Sequence, residues 1–223
     1  MAGKFIVIDG IDGSGKETQT KLTISRLKKL GYNVETIDFP QYNTKSAGLV
    51  EKYLSGKYGG TKEVSPYVAS TFYAVDRYDA SFKIKEWLKQ GKIIISDRYV
   101  GSNMAHQGAK IKTQNERKKY LTWLYNLEYE IFKIPRPDLN IILHINATLA
   151  QKLSQRRKKQ DWHNKTEDIH QNNLGYLKSS EKIYLEIVNT FSDFTLIECE
   201  KNGQTMSREK INNLICGKII KMI

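Results

Sequence analysis

The chain has 223 residues, 39% of them hydrophobic, with a formal net charge of +12 and two cysteines. That length suffices for one large domain with a well-buried core, and no apolar run approaches the roughly 18 residues of a membrane span, which argues against a membrane partner. Cys199 and Cys216 lack metal-ligand spacing, which favours reduced thiols in a cytoplasmic protein over a disulfide or zinc site.

The opening "MAGKFIVIDG" runs straight into strand-like sequence without signal-peptide order, which also leads us to expect a cytoplasmic location. Its apolar run "FIVID" (5–9) is followed by Gly10 to Lys16 in the spacing G-x-x-x-x-G-K, and then by "KETQTKLTISRLKKLG", a helix ending at Gly31. Strand, glycine-rich turn and helix in this order make a phosphate cradle, in which backbone N–H groups and a helix N-terminus face an anion. The cradle comprises Gly10, Ile11, Asp12, Gly13, Ser14, Gly15 and Lys16, continuing into Glu17 and Thr18, with Lys16 reaching the outer phosphates of a bound nucleotide. Glu17 stands where a Ser or Thr normally touches Mg²⁺. Its carboxylate would repel phosphates, so it is expected to point outward, where an acid in the first helical turn suits the helix dipole. Thr18 is then the nearest hydroxyl, and Mg²⁺ is held largely through waters and phosphate oxygens.

A second strand-like run, "NVETIDF" (33–39), precedes a Gly-containing loop at 55–64. In "STFYAVDRYDA", Tyr73 and Arg77 are four residues apart and share a helix face. A ring beside a guanidinium suits a nucleobase clamp, although an aromatic at helical spacing, taken alone, is more often core. The apolar run "KIIIS" (92–96) reads as a parallel strand covered on both faces and leads into "SDRYVGSNMAHQGAKI". Ligands of open parallel sheets bind beyond the strands' carboxyl ends, so Asp97 and Arg98 should face the crevice of Lys16. There Asp97 can orient Mg²⁺-bound water, and Arg98 can bridge phosphates bidentately. The alternative is an Asp–Arg pair that only caps the next helix.

In "NERKKYLTWLYNLEYEIF" (115–132), Leu121, Leu124, Leu127 and Ile131 step along one helix face. The strand "LNIILHI" (139–145) follows, then "QKLSQRRKKQDWHNK" (151–165), which carries six Lys or Arg against one Asp. That cluster fits nucleic acid, polyanionic small molecules, or simply a solvated helix end and loop. The loop 156–168 and the loop 55–64 are the expected mobile pieces. A later helix, starting near Asp168 and closed by Phe191-Ser-Asp, lines up Leu174, Leu177, Tyr184, Val188 and Phe191 before the strand "FTLIEC" (194–199). Alternation of strand and helix predicts α/β architecture, one domain over 1–223 with an open five-stranded parallel sheet and helices on both faces, and the phosphate cradle makes it P-loop NTPase type.

The segments "IVIDGIDGSGKETQ", "DFPQY", "FYAVDR", "SDRYVGSNMAHQG" and "RPDLNIILHI", in this order, resemble thymidylate kinases over essentially the whole chain. The resemblance implies that Asp12 meets the acceptor's 3′-hydroxyl and that Tyr42 lies near the acceptor phosphate. It also implies that Tyr73, in place of the usual Phe, stacks on thymine, while Arg77 hydrogen-bonds the base and Arg98 holds the acceptor phosphate. Asn103 and Gln107 fall in the segment lining base and sugar, and His106 stands where many members carry a Tyr associated with excluding a 2′-hydroxyl. The resemblance also implies a short mobile lid at about 155–168, and family members place a catalytic Arg either in the phosphate loop or in such a basic lid. With Gly13 after Asp12 and "QRRKKQD" in the lid, this chain resembles the second kind, Arg156 and Arg157 being the candidates with Lys158 and Lys159 behind them.

The implied activity is transfer of phosphate from ATP to dTMP with Mg²⁺, giving dTDP for dTTP synthesis. By family analogy the enzyme is a homodimer, with the helices around 68–90 and 114–132 as candidate interface. Two nucleotides in one crevice account for the basic cluster without a nucleic-acid partner. The alternatives are a kinase of another nucleoside monophosphate or of a deoxynucleoside on the same fold and, more distantly, a nucleic-acid-binding P-loop protein.

Overall fold

The computed structural model describes residues 3–60, 63–160 (side chains through Gln155) and 174–223. Five parallel strands form the main sheet: β1 (Lys4–Asp9), β2 (Val34–Asp38), β3 (Ile93–Asp97), β4 (Leu139–His144) and β5 (Phe194–Glu198), in the order β2-β3-β1-β4-β5. The three inner strands are sealed almost throughout, so their apolar runs continue where an edge strand would alternate. Helices cover both faces: α1 (Lys16–Lys29), α2 (Gly48–Leu54), α3 (Pro66–Lys89), α4 (Val100–Gly108), α5 (Gln114–Tyr125), α6 (Ala147–Gln160), α7 (Leu174–Thr190) and α8 (Arg208–Ile220). A short hairpin, β6 (Glu200–Lys201) with β7 (Gln204–Thr205), precedes α8.

Local chemistry sets the helix starts. Ser65 accepts from Val68 N at 3.2 Å with Pro66 next, and Ser207 accepts from Lys210 N at 3.3 Å. Thr113 accepts from Glu116 N at 3.3 Å and donates to its carboxylate at 2.6 Å.

Register fixes the site. Ile8 lies opposite Asp97 of β3 and Ile141 of β4, while Asp38 of β2 pairs with Asp97. The loops after β1, β2 and β3 therefore leave the same sheet edge, and the chain departs from β1 and β4 in opposite directions, which opens a crevice there.

Three details depart from the sequence reading. Residues 156–160, expected as loop, continue α6, and the start expected near Asp168 lies outside the described residues. Helix α2, the hairpin and α8 were not anticipated. The helix expected to run to 132 changes at Tyr125 into a π-helical turn, Asn126–Ile131, where Phe132 N bonds to Leu127 O five residues back. The widened turn rotates the following face, so Ile131 is 62% exposed although Leu121 and Leu124 are buried. Among the described residues no helix is long and apolar enough to cross a membrane. Both cysteines are buried and free.

Candidate active site

Asp9 ends β1 at the centre of the sheet, and the next six residues wrap into a loop closed by Ser14 N on Ile11 O at 3.1 Å. Gly13 has φ +88, and a Cβ there would lie 2.2 Å from the carbonyl oxygen of Ala150 in α6. Only glycine allows the loop to approach that helix so closely. Lys16, 8% exposed, folds back across the loop and donates to Ile11 O and Asp12 Oδ1, both at 3.2 Å. Burial lowers its pKa, the Arg98 guanidinium adds to that, and Asp12 opposes both. Glu17 turns away to Lys21 Nζ at 2.8 Å, leaving Thr18 half-buried on the first turn of α1. The outward orientation expected for Glu17 is therefore what the fold adopts.

Arg98, just past β3, sits at φ +67, a left-handed conformation that costs about 1–3 kcal/mol in a non-glycine residue. Two contacts impose it: Arg98 N donates to Ile8 O at 3.0 Å, and Arg98 O accepts from Ser96 Oγ at 2.6 Å. The guanidinium bonds Asp12 Oδ1, and its Nη1 donates to Ser102 Oγ at 3.1 Å and to His106 Nε2 at 3.2 Å. Because Nε2 accepts, neutral His106 carries its proton on Nδ1, which donates to Tyr176 OH at 3.1 Å. Tyr176 OH in turn donates to His106 O at 3.2 Å. Burial would raise the Asp12 pKa, but Lys16 and Arg98 hold its carboxyl well below the usual carboxylate range. Lys16 and Arg98 thus share Asp12, and the carboxylates of Asp9 and Asp97 lie near enough to act on both cations.

Asp97 is half-buried, and its Oδ1 is sealed without a protein donor. Burial raises its pKa, with Lys16 and Arg98 pulling the other way. A sealed carboxylate oxygen beside a phosphate cradle suits the water shell of Mg²⁺. Among the described residues no group of three or more His, Cys, Asp or Glu could itself hold a metal ion.

From Arg98 a cleft open to solvent extends toward α3 and α4. All eight residues expected to bind the acceptor line it: Asp12, Tyr42, Tyr73, Arg77, Arg98, Asn103, His106 and Gln107. Leu54 and the cis Phe39–Pro40 pair complete its apolar wall. Lys16 and Asp97 stand outside the lining, and Lys16 meets it through Asp12. At the far end Tyr73 meets Tyr53 edge-on, with ring centroids 6.3 Å apart. The adjacent residues Asp76 and Arg77 find separate partners. Asp76 accepts from Gln41 N at 2.9 Å and Ser46 Oγ at 2.7 Å, pinning the loop after β2, whereas Arg77 pairs with Glu128. Asn103 Oδ1 and Gln107 Oε1 are sealed acceptors with no protein donor, and Tyr120 OH receives Asn103 Nδ2 at 3.3 Å.

Several contributors were not singled out from sequence. Asp9 Oδ1 accepts from Gly10 N (2.8 Å), Ser102 Oγ (2.6 Å) and Tyr184 OH (2.6 Å), tying β1 to α4 and α7. A carboxylate ending the strand before the loop was the available signal. Glu128 and Tyr176 offered none, since each depends on a long-range contact. The side chains of Arg156 and Arg157, and the lid beyond Gln160, lie outside the described residues.

The thymidylate kinase family model matches residues 8–211. The thymidylate kinase of Mycobacterium tuberculosis (strain ATCC 25618 / H37Rv) is 31% identical over 158 residues, covering 70% of this chain and 73% of that one. That of Brachyspira hyodysenteriae (strain ATCC 49526 / WA1) is 28% identical over 223 residues, covering 100% and 98%. The solved thymidylate kinase of Candida albicans superposes with a TM-score of 0.74 at 22% identity, covering 99% of this chain and 92% of its own, which shows a shared fold. With a family model spanning most of its length and a relative above 30% identity, the chain belongs to the thymidylate kinase family.

Proposed function

We propose that this thymidylate kinase, which phosphorylates dTMP, reads the acceptor in the cleft between α3 and α4 and receives Mg²⁺-ATP over the loop 10–18. The observation that carries the assignment is the Arg98–Asp12 contact, because it joins the acceptor cleft to the phosphate loop at one point. Thymine presents an acceptor at O4 and a donor at N3. Arg77 supplies N–H groups for the first, and the sealed oxygens of Asn103 and Gln107 supply acceptors for the second. Cytosine lacks the N3 proton, so each mismatch leaves a buried group unpaired at about 1–3 kcal/mol. Tyr73 offers its face to the ring, Arg98 takes the acceptor phosphate, and Asp12 takes the 3′-hydroxyl.

In-line transfer then depends on alignment and on neutralising charge over the moving phosphoryl group. Lys16 leaves Asp12 for the outer phosphates when ATP enters, and the α1 N-terminus adds its N–H groups. Asp97 would hold Mg²⁺ through its water shell, and the ion would supply charge neutralisation at the phosphate oxygens. The lid, through Arg156 and Arg157, covers ATP and excludes water.

We further propose a cytoplasmic homodimer. Val68, Val75 and Phe82 form an exposed stripe at seven-residue spacing along α3, which fits a second copy of the chain.

A coupled ADP-release assay with ATP, Mg²⁺ and the monophosphates dTMP, dUMP, dCMP, AMP, GMP and UMP tests the reading. Turnover greatest with dTMP, and lost in Lys16→Ala and Arg98→Ala, is expected. Preference for another monophosphate would overturn the base assignment.

A further inference from the structure

Two arginines line one cleft, and a phosphate would bind either. Their surroundings differ. Arg98 shares its carboxylate partner Asp12 with Lys16, so neither cation has a carboxylate to itself, and the Arg98 side chain is 21% exposed at the cleft. Arg77 is 2% exposed and has Glu128, fully buried, to itself. Glu128 reaches it from the π-helical turn, and Oε1 accepts from both Nε (3.0 Å) and Nη2 of Arg77. Burial pulls the guanidinium's pKa down, but the Glu128 carboxylate and its hydrogen bonds outweigh that and leave it raised. Two of the five guanidinium N–H groups are thereby anchored, which fixes the plane of the fork and the directions of the other three.

We propose that Glu128 is a positioning and specificity residue: by cancelling the charge of Arg77 and fixing its plane, it makes that end of the cleft a reader of a neutral base and leaves Arg98 as the phosphate end. The acceptor then enters one way round. Glu128 touches neither substrate nor the reacting atoms, and it acts through Arg77. The inference rests on the dTMP reading given above.

Its contribution separates from that reading in experiment. In wild-type enzyme, thymidine and inorganic phosphate should bind together, one at each end, with thermal shifts that add. Mutually exclusive binding would overturn the proposal without any substitution. Glu128→Gln keeps the size and one acceptor but removes the charge. It should raise the KM for dTMP at least about tenfold while kcat at saturation stays within about threefold. It should also make inorganic phosphate a competitor of dTMP stronger by about fivefold or more, because an uncompensated guanidinium now attracts it. Glu128→Asp retains the charge while shifting the contact, so KM should rise with phosphate inhibition unchanged. A general loosening of the fold would move both variants alike and lower kcat. If wild type turns over dTMP and Glu128→Gln leaves both KM and phosphate inhibition unchanged, the role assigned to Glu128 fails while the dTMP reading stands. If wild type prefers another monophosphate, the reading itself fails.

Discussion

Alanine at two glycines of the phosphate loop separates backbone strain from steric contact. Gly13 and Gly15 have nearly the same φ, +88 and +85, so a left-handed alanine costs both sites about 1–2 kcal/mol. Their surroundings differ: a Cβ at Gly15 meets nothing within 4 Å, whereas one at Gly13 comes within 2.2 Å of Ala150 O and 2.8 Å of its carbonyl carbon. Both obstacles are backbone, so α6 or the loop must shift, adding about 1–3 kcal/mol of overpacking. Gly15→Ala should therefore lower stability by about 1–2 kcal/mol and Gly13→Ala by about 2–5 kcal/mol. At about 2–4 °C per kcal/mol for a chain of this size, the two melting points should differ visibly. Denaturant unfolding of both variants beside wild type gives the comparison, and the KM for ATP reports whether the loop has moved. Gly13→Ala no less stable than Gly15→Ala would refute the close approach of loop and helix.

Other outcomes follow from the same geometry. Tyr73→Ala should weaken dTMP binding by about 1–3 kcal/mol through lost stacking, while Tyr73→Phe keeps the ring and should keep the KM; equal losses would rule out use of the face. Asp97 is an acid whose folded pKa is raised by burial, so the folded chain holds its proton more tightly and stability falls as pH rises from the unfolded value of about 3.9 through the folded one. Asp97→Asn should accordingly be as stable as wild type or more so at pH 7 while requiring more Mg²⁺ for turnover, and a destabilised variant contradicts this. His144 faces Glu198 through Nδ1 at 2.7 Å and Glu181 through Nε2 at 3.1 Å, contacts that both nitrogens can donate to only when protonated. Burial lowers its pKa, but the two glutamates outweigh that and leave it raised. The resulting stability is fully present below about pH 6.5 and is lost as pH rises through the folded pKa. His144→Ala should thus cost more in unfolding measurements at pH 5.5 than at pH 8.5; an equal cost would show that the contacts do not depend on charge.

What the sequence made legible was local. "FIVID" with its spaced glycines specified a strand, a turn and a helix start within a dozen residues, and the placement of Arg98 followed from the rule for strand ends. Tyr73 and Arg77 shared a helix face because their spacing required it. Glu128 was not legible, since a charged residue in an amphipathic run reads as surface until a partner 51 positions away neutralises it. The exposure of Ile131 was hidden for a related reason, because a π-helical turn has no strong pattern in side-chain spacing. Asp9 joins Ser102 and Tyr184, which are 93 and 175 residues distant, and no window along the chain contains them together.

The strand order has a consequence for synthesis. Among the five strands of the sheet β1 is made first, yet it occupies the middle, with β3 and β4 as its neighbours. Leu139 follows Asp9 by about 130 residues, which at about 5–20 residues per second amounts to roughly 6–26 s of translation. Throughout that interval the apolar side chains of Phe5 to Ile8 await at least one partner strand. A nascent chain therefore displays an apolar strand early and completes the sheet around it late, and exposed apolar surface of that kind is what makes incomplete chains prone to aggregate. An N-terminal fragment ending before β4 contains every residue of the glycine loop and still lacks the strand needed to hold it.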